Sequence, residues 1–376
     1  MTLRVAIIGC GWVAGSQMSF GFDHLKDRYS VAIACDSDVG KARAFADTHG
    51  IAGIATDYDA VLADPDIEVV SICTPPSLHH PMVMAALRAG KHVICEKPFT
   101  SSLRLTDEII AEEAKGRARV MPIFQYRFAP GIQRIRQILE TGIAGACYIA
   151  SVETAWKRGA EYYAVPWRGK FATEMGGVLL TQAIHIHDLL LYLRGPAAEV
   201  KAFKTTRVNQ IEVEDCAVAA VRMEDGSLAS LTATLGSQRP VTRIRLCYEN
   251  LTIERQCFDA EAPKPGEEPW IIVPKNDEIA ARIAAIPITP LEHTSFAYQF
   301  AAFHDALRDG GEMPVSLADA RRSMELVTAL YHASETGETV SLPIGADHER
   351  YGGWITPNSY SRYSTAASQM RAANGL

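Results

Sequence analysis

Residues 3–14 read Leu-Arg-Val-Ala-Ile-Ile-Gly-Cys-Gly-Trp-Val-Ala, an apolar, largely β-branched run that ends in G-x-G-x-x-A and opens a helical stretch. A short apolar run closed by glycine reads as a buried strand, and this spacing gives the turn a task. Gly9 allows the tight turn. Gly11 lets a backbone approach a pyrophosphate, which would rest on the unpaired N–H groups opening the next helix, at Trp12 and Val13. A second strand, Val31–Cys35, ends in Asp36, about 25 residues after the glycines. An acidic residue there accepts hydrogen bonds from a ribose 2′-hydroxyl and repels a 2′-phosphate, which favours NAD over NADP. A tight turn with no nucleotide would explain the glycines but not Asp36.

Working outward, strands and helices alternate. Lys41–His49 and Tyr58–Ala63 read as helices, Glu68–Cys73 as an apolar strand, Pro81–Ala89 as a helix, Leu105–Lys115 as another, and Arg119–Phe124 as a further strand. Such alternation predicts a doubly wound parallel sheet, a Rossmann domain over residues 1–124. Thr74 and Pro75 begin the loop leaving one strand at its carboxyl end. Lys97, in the run AGKHVICEKPF (89–99), leaves another at the same edge, where open α/β sheets bind their ligands. A surface lysine in a loop is the bland alternative for Lys97.

The second half has a different texture. Gly131–Thr141 is an amphipathic helix, and alternating runs follow at Cys147–Ala155, Glu199–Thr206, Val213–Met223, Leu228–Leu235, Ile244–Tyr248 and Leu251–Cys257. Asp225-Gly226 between two of them is a hairpin signal. These features predict an α+β domain over residues 125–345, built on a large, mostly antiparallel open sheet. A sheet face without helices calls for a partner, so a homo-oligomer is expected. Ala260–Pro269 reads as an exposed loop, Phe296–Leu307 and Leu317–Ser334 as helices, and residues 346–376 as a polar tail without assignment.

Composition narrows the classes. The 376 residues are 48% hydrophobic and carry a net charge of -7 with Lys and Arg scattered, which argues against a nucleic-acid footprint. No apolar run reaches the roughly 18 to 20 residues of a membrane span. No charged and apolar leader precedes the first strand, so a cytoplasmic protein is expected. Eight widely spaced cysteines suggest neither a disulfide framework nor a zinc site, and no metal is expected.

Gly176–Gly195, GGVLLTQAIHIHDLLLYLRG, reads as one buried helix with glycines at both ends. On it Thr181, His185, Asp188 and Tyr192 make one polar stripe that partners or ligand must satisfy. A satisfied core histidine is the ordinary reading of such a residue; given the nucleotide fold upstream and Lys97 as a second candidate, a functional His185 is favoured. His187 points elsewhere and reads as packing. Upstream, Tyr163, Trp167 and Arg168 crowd one segment with Trp156, Lys157, Arg158 and Tyr162. Aromatic faces suit sugar rings and the cations suit an acidic substituent, while a solvated basic loop packed by aromatics fits equally well.

Taken together, Gly9–Ala14, Thr74-Pro75 with His79, the run to Glu96-Lys97-Pro98, Tyr126-Arg127-Phe128, Trp167-Arg168, and Gly176-Gly177 leading to His185 and Asp188 resemble the Gfo/Idh/MocA family, the relatives of glucose-fructose oxidoreductase and inositol dehydrogenase. The resemblance covers about residues 3–345. It implies an NAD(P)-dependent oxidoreductase acting on a sugar, polyol, sugar acid or related hydroxy compound, and a homodimer or homotetramer formed through the carboxy-terminal sheet domain. It places His79, Glu96, Lys97 and Gln125 at the cofactor, Arg127 and Thr181 at the substrate, and Lys97 and His185 beside the reacting carbon. Thr181 stands where many relatives carry Asp or Asn, so Asp188 is the carboxylate left to orient His185. His185 is then the base and Lys97 its electrostatic partner, roles that exchange if burial lowers the lysine's pKa. Two other functions use the same residues or fold: glycoside cleavage through transient oxidation with recycled NAD, and a non-catalytic nucleotide-sensing regulator.

Overall fold

A computed structural model describes residues 2–258, 269–287 and 295–355. They form two compact units, one of residues 2–100, 104–128 and 295–321, the other of residues 101–103, 129–258, 269–287 and 322–355.

The first unit begins as β1 (Leu3–Ile8), α1 (Trp12–Phe20), β2 (Tyr29–Cys35), α2 (Val39–His49), β3 (Gly53–Ala55), α3 (Tyr58–Ala63), β4 (Val69–Ile72), α4 (His79–Arg88), β5 (His92–Cys95), α5 (Leu103–Glu113) and β6 (Val120–Pro122). The six strands form one sheet in the order β3-β2-β1-β4-β5-β6, every neighbouring pair parallel. Its strands are apolar on both faces, as a covered parallel sheet requires, and Val5, Ile7, Val70 and Val93 are fully buried. Strand order reverses between β1 and β4. The carboxyl ends of these two strands therefore border the crevice in which such sheets take ligands.

In the second unit α6 (Pro130–Glu140) leads into β7 (Cys147–Lys157), and three short helices follow, α7 (Ala160–Tyr163), α8 (Phe171–Glu174) and α9 (Val178–Thr181). Then come α10 (Ile184–Arg194), β8 (Ala197–Thr205), β9 (Cys216–Met223), β10 (Leu228–Thr234), β11 (Gly236–Tyr248), β12 (Leu251–Phe258), β13 (Ile271–Pro274) and α11 (Asp277–Ala284). The remaining elements are α12 (Ser295–Asp309), α13 (Leu317–Thr336) and β14 (Val340–Ser341). The eight-stranded sheet has the order β13-β12-β11-β7-β10-β9-β8-β14 and is antiparallel except where β10 runs parallel to β7. Burial alternates along it: Ala229, Leu231 and Ala233 of β10 face the core while Leu228, Ser230 and Thr232 face outward.

The sequence reading is corrected in several places. The helix expected over Gly176–Gly195 is two: α9 stops at Thr181, and the chain bends by 48° before α10. Thr181 and His185 therefore do not lie on one continuous stripe. The second half does not stay in one unit, because α12 packs into the first: Gln299 Nε2 donates to Pro122 O at 2.9 Å and Tyr29 OH to Phe300 O at 2.7 Å. β11 is longer than Ile244–Tyr248 because a register shift between Gly236 and Val241 hides the alternation. The loop expected at Ala260–Pro269 falls outside the described residues but for Pro269 itself. So does the tail beyond residue 355; its start is ordered, with Trp354 1% exposed. Among the described residues no single helix is long and apolar enough to cross a membrane.

Candidate active site

The first unit builds a dinucleotide edge from three loops. Gly9 has φ +89°, and a Cβ there would sit 3.0 Å from the Cys73 carbonyl group, so both conformation and space demand glycine. A Cβ on Gly11 would meet nothing within 4 Å, which leaves its backbone open to a large anion. Trp12 and Val13 follow as the first residues of α1, whose opening N–H groups lack helical partners; the Trp12 indole is 85% exposed. At the end of β2, Asp36 Oδ2 accepts from Cys10 N at 2.9 Å and Oδ1 from Asp38 N at 3.0 Å. These two bonds aim the carboxylate and leave each oxygen a further lone pair, enough for the hydroxyls of a ribose. Open glycine backbone, free helix start and oriented carboxylate together fit a nicotinamide dinucleotide.

Behind Lys97 lies a buried relay. Ser71 Oγ donates to Gln17 Oε1 at 2.6 Å, Gln17 Nε2 donates to Glu96 Oε1 at 2.9 Å, and Lys97 N donates to Glu96 Oε2 at 3.1 Å. Glu96 is 4% exposed, and burial pushes its pKa up while the Lys97 charge opposes the rise. One Glu96 oxygen thus holds the backbone of Lys97 and the other the Gln17 amide; the Lys97 side chain is half-buried. The Lys97–Pro98 peptide is cis. His79 is fully buried, its Nδ1 2.8 Å from Pro98 O and its Nε2 2.9 Å from Thr74 O. Both nitrogens face backbone carbonyls, so His79 lies between the Thr74–Pro75 loop and the Lys97–Pro98 loop and links them. Thr74 Oγ1 lies 3.5 Å from Met82 Sδ. Arg127 is 4% exposed, paired with Asp319 at 3.3 Å and set over the Phe124 ring. The neighbouring Gln125 is half-buried.

The second unit presents His185 at the second position of α10, 6% exposed. Asp188, one turn on, is 1% exposed, and its Oδ1 accepts from Ser323 Oγ at 2.9 Å. His187 is 2% exposed among Leu179, Ala202, Ala219, Leu231 and Leu330, and burial alone pulls its pKa down to about 4. It is a packing residue. Thr181 Oγ1 donates to Gly177 O at 2.8 Å, an internal bond of the short helix.

Aromatic and cationic residues gather nearby in the same unit. The Arg168 guanidinium lies 3.9 Å over the Tyr162 ring and 4.4 Å over the Trp167 ring, and pairs with the buried Glu174 at 3.4 Å. Tyr162 OH accepts from Arg168 and, at 2.9 Å, from Gln182 Nε2; burial raises its pKa. Tyr163 meets Tyr162 edge to face at 5.0 Å. Sequence reasoning named Tyr163, Trp167 and Arg168 but missed Glu174, which pairs with Arg168, and Gln182, which bonds Tyr162.

It also missed the group that starts α9. Glu214 is fully buried and accepts from Gly177 N and Leu179 N, each at 3.1 Å, and from Tyr331 OH at 2.7 Å. A Cβ on Gly177 would collide with the Glu214 backbone, so glycine is obligatory there. Burial raises the Glu214 pKa, countered by the Lys204 charge. A Glu-Asp pair before a strand carries no local signal of this role.

Fold and loops define a Rossmann domain fitted to a nicotinamide dinucleotide. Residues 3–124 match the oxidoreductase family with an NAD-binding Rossmann fold, and residues 132–254 match the GFO/IDH/MocA C-terminal domain. The chain belongs to the Gfo/Idh/MocA family. It is similar to an uncharacterized oxidoreductase, YrbE, of Bacillus subtilis, 32% identical over 52% of this chain and 56% of that protein, so this match spans little more than half of the relative. It is also similar to the D-glucoside 3-dehydrogenase of Escherichia coli, 27% identical over 90% of this chain and 97% of that one. Among solved structures, the WlbA dehydrogenase of Bordetella pertussis in complex with NADH and UDP-GlcNAcA shares the fold at TM-score 0.80 and 24% identity, covering 92% and 98% of the two chains.

Proposed function

We propose that this protein transfers hydride between NAD and a hydroxyl-bearing carbon of a sugar, polyol or sugar acid. The observation that carries the reading is Lys97, held at the carboxyl end of β5 by the Ser71–Gln17–Glu96 relay in an NAD-binding Rossmann unit. Relatives named D-glucoside 3-dehydrogenase, 1,5-anhydro-D-fructose reductase and D-apiose dehydrogenase point to the substrate class. Gly9, Gly11, Trp12, Val13 and the Thr74–Pro75 loop would hold the dinucleotide, with Asp36 selecting NAD over its 2′-phosphorylated form. The bound nicotinamide supplies the hydride chemistry. Lys97 stabilises negative charge on the substrate oxygen as its proton leaves, and a ring nitrogen of His185 takes that proton; positioned help of this kind is worth about a hundred- to ten-thousandfold. Asp188, fixed by Ser323, sets the field around the imidazole. Tyr163, Trp167 and Arg168 offer the ring-stacking and hydrogen-bonding surface for a sugar.

The outward face of the second unit's sheet supports a homo-oligomer. Phe203 and Val218, 64% and 50% exposed, sit opposite each other on β8 and β9, and Leu228 and Ile149 do so on β10 and β7. A second copy covering this face is the proposed partner, to be read by sedimentation.

The decisive experiment offers a panel of sugars, inositols, sugar acids and glycosides to the protein with NAD and follows NADH absorbance alongside product analysis. Substrate-dependent NADH formation is the expected result. Glycoside consumed without net NADH would assign recycling cleavage instead, and dinucleotide binding with no turnover on any member would favour a sensor.

A further inference from the structure

The start of α9, which leads through one bend into the His185 helix, is held by a residue near the other end of the sequence. Trp354 is 1% exposed, and its indole N–H donates to the Met175 carbonyl at 2.8 Å. Met175 has φ +67°, an uncommon conformation for a residue with a Cβ, and persists only where its surroundings over-determine it. The Trp354 ring stacks on Tyr331 at 5.6 Å and 22°, and the Tyr331 hydroxyl donates to Glu214 and accepts from Gly177 N at 3.2 Å. The indole thus touches both supports of the turn Met175-Gly176-Gly177: the carbonyl before the glycines and the ring whose hydroxyl reaches the carboxylate that caps α9. Lys204 Nζ lies 5.1 Å over the same Tyr331 ring.

We infer that Trp354 is a positioning residue for His185: by fixing the Met175 carbonyl and the Tyr331 ring it sets the opening of α9 and, through it, the seat of the imidazole. The assignment rests on His185 acting in the proposed reaction, and its test is arranged to survive failure of that reading. Trp354→Phe keeps a ring for stacking and removes the N–H donor. Tyr331→Phe keeps the stack and removes the hydroxyl from Glu214. Each is compared with wild type by three measurements. NADH binding, followed by fluorescence, reports the first unit. The imidazole carbon-proton resonance of His185, assigned by its absence from His185→Asn, reports the seat without any substrate. Where the sugar panel has yielded a substrate, kcat and KM are measured separately.

The expected result is NADH affinity unchanged, the His185 resonance displaced while those of His24 and His49 coincide with wild type, and kcat lower by about tenfold or more with KM little altered, because a misplaced base costs rate before it costs binding. A His185 resonance and kcat like wild type, with only a lower melting temperature, overturns the proposal and leaves Trp354 a packing residue. If Trp354→Phe does not fold, Tyr331→Phe decides by the same readings. If the panel yields no substrate, the resonance alone decides, so the two readings fail separately.

Discussion

The two units build their candidate functional residues by different means. On the first unit each essential feature belongs to a βα step: Gly9 is the turn after β1, Asp36 the residue after β2, Lys97 two residues past β5. On the second, the groups that fix the His185 element arrive from far along the chain, Ser323 on Asp188 across 135 positions, Tyr331 on Glu214 across 117, and Trp354 on Met175 across 179. A strand end in a parallel sheet points its residues to the ligand edge by topology alone. A buried helix start with unpaired N–H groups has no such guarantee and needs acceptors brought to it.

The largest expected effect tests the functional weight of the first unit. Lys97→Met should lower turnover by about a hundred- to ten-thousandfold while NADH binding, measured by fluorescence titration, stays near wild type. Turnover within a factor of a few would remove Lys97 from the chemistry.

Next in size is a matched pair that bears directly on the contrast. Glu214→Ala strands two buried N–H groups and the Tyr331 hydroxyl, and should cost about 3 kcal/mol or more in urea unfolding. Asp38, which caps α2 by accepting from Gly40 N at 2.8 Å and Lys41 N at 3.2 Å, is the local counterpart. Asp38→Ala should cost about 1 kcal/mol. Equal losses would erase the distinction between locally and remotely built helix starts.

Acid behaviour gives a third handle. His187 is buried neutral, its pKa brought to about 4 from an ordinary 6.5, so below pH 6.5 the unfolded chain binds a proton that the native state refuses. Stability then rises with pH between about 4 and 6.5 and is lost on the way down, by up to about 3 kcal/mol. His187→Leu should flatten that acid limb in urea titrations run at several pH values; an unchanged slope would mean that other groups set it.

The smallest effect concerns cofactor choice. Asp36→Ser should weaken NADH binding and improve NADPH binding, shifting the ratio by about tenfold. No shift would take the Asp36 carboxylate out of discrimination.

Much of the first unit was legible because its rules are local. Apolar runs of strand length, glycines at the turn and an acid after the second strand repeat within short windows, and the parallel order follows from their alternation. Lys97 could be placed at the ligand edge for the same reason. Its relay could not, because Gln17, Ser71 and Glu96 come from three βα steps and no spacing links them. In the second unit periodicity marked most strands and the importance of His185 and Asp188. It misjudged the continuity of their helix, since Gln182 and Ala183 carry no breaker and the bend comes from tertiary packing. The family resemblance flagged Arg127, but its burial against Asp319 was invisible from the sequence.

The sequence by itself determined the Rossmann sheet, its dinucleotide loops, the acid after β2 and the family to which the chain belongs, because these depend on short-range pattern and on residues that only one backbone geometry accommodates. Only the tertiary structure decided that His79 and Arg127 are buried, that α12 returns to the first unit, and that Glu214, Tyr331 and Trp354 hold the helix start that leads to His185. Those outcomes depend on which buried polar groups find one another in space, and burial makes each such pairing obligatory without leaving a mark in the neighbouring sequence.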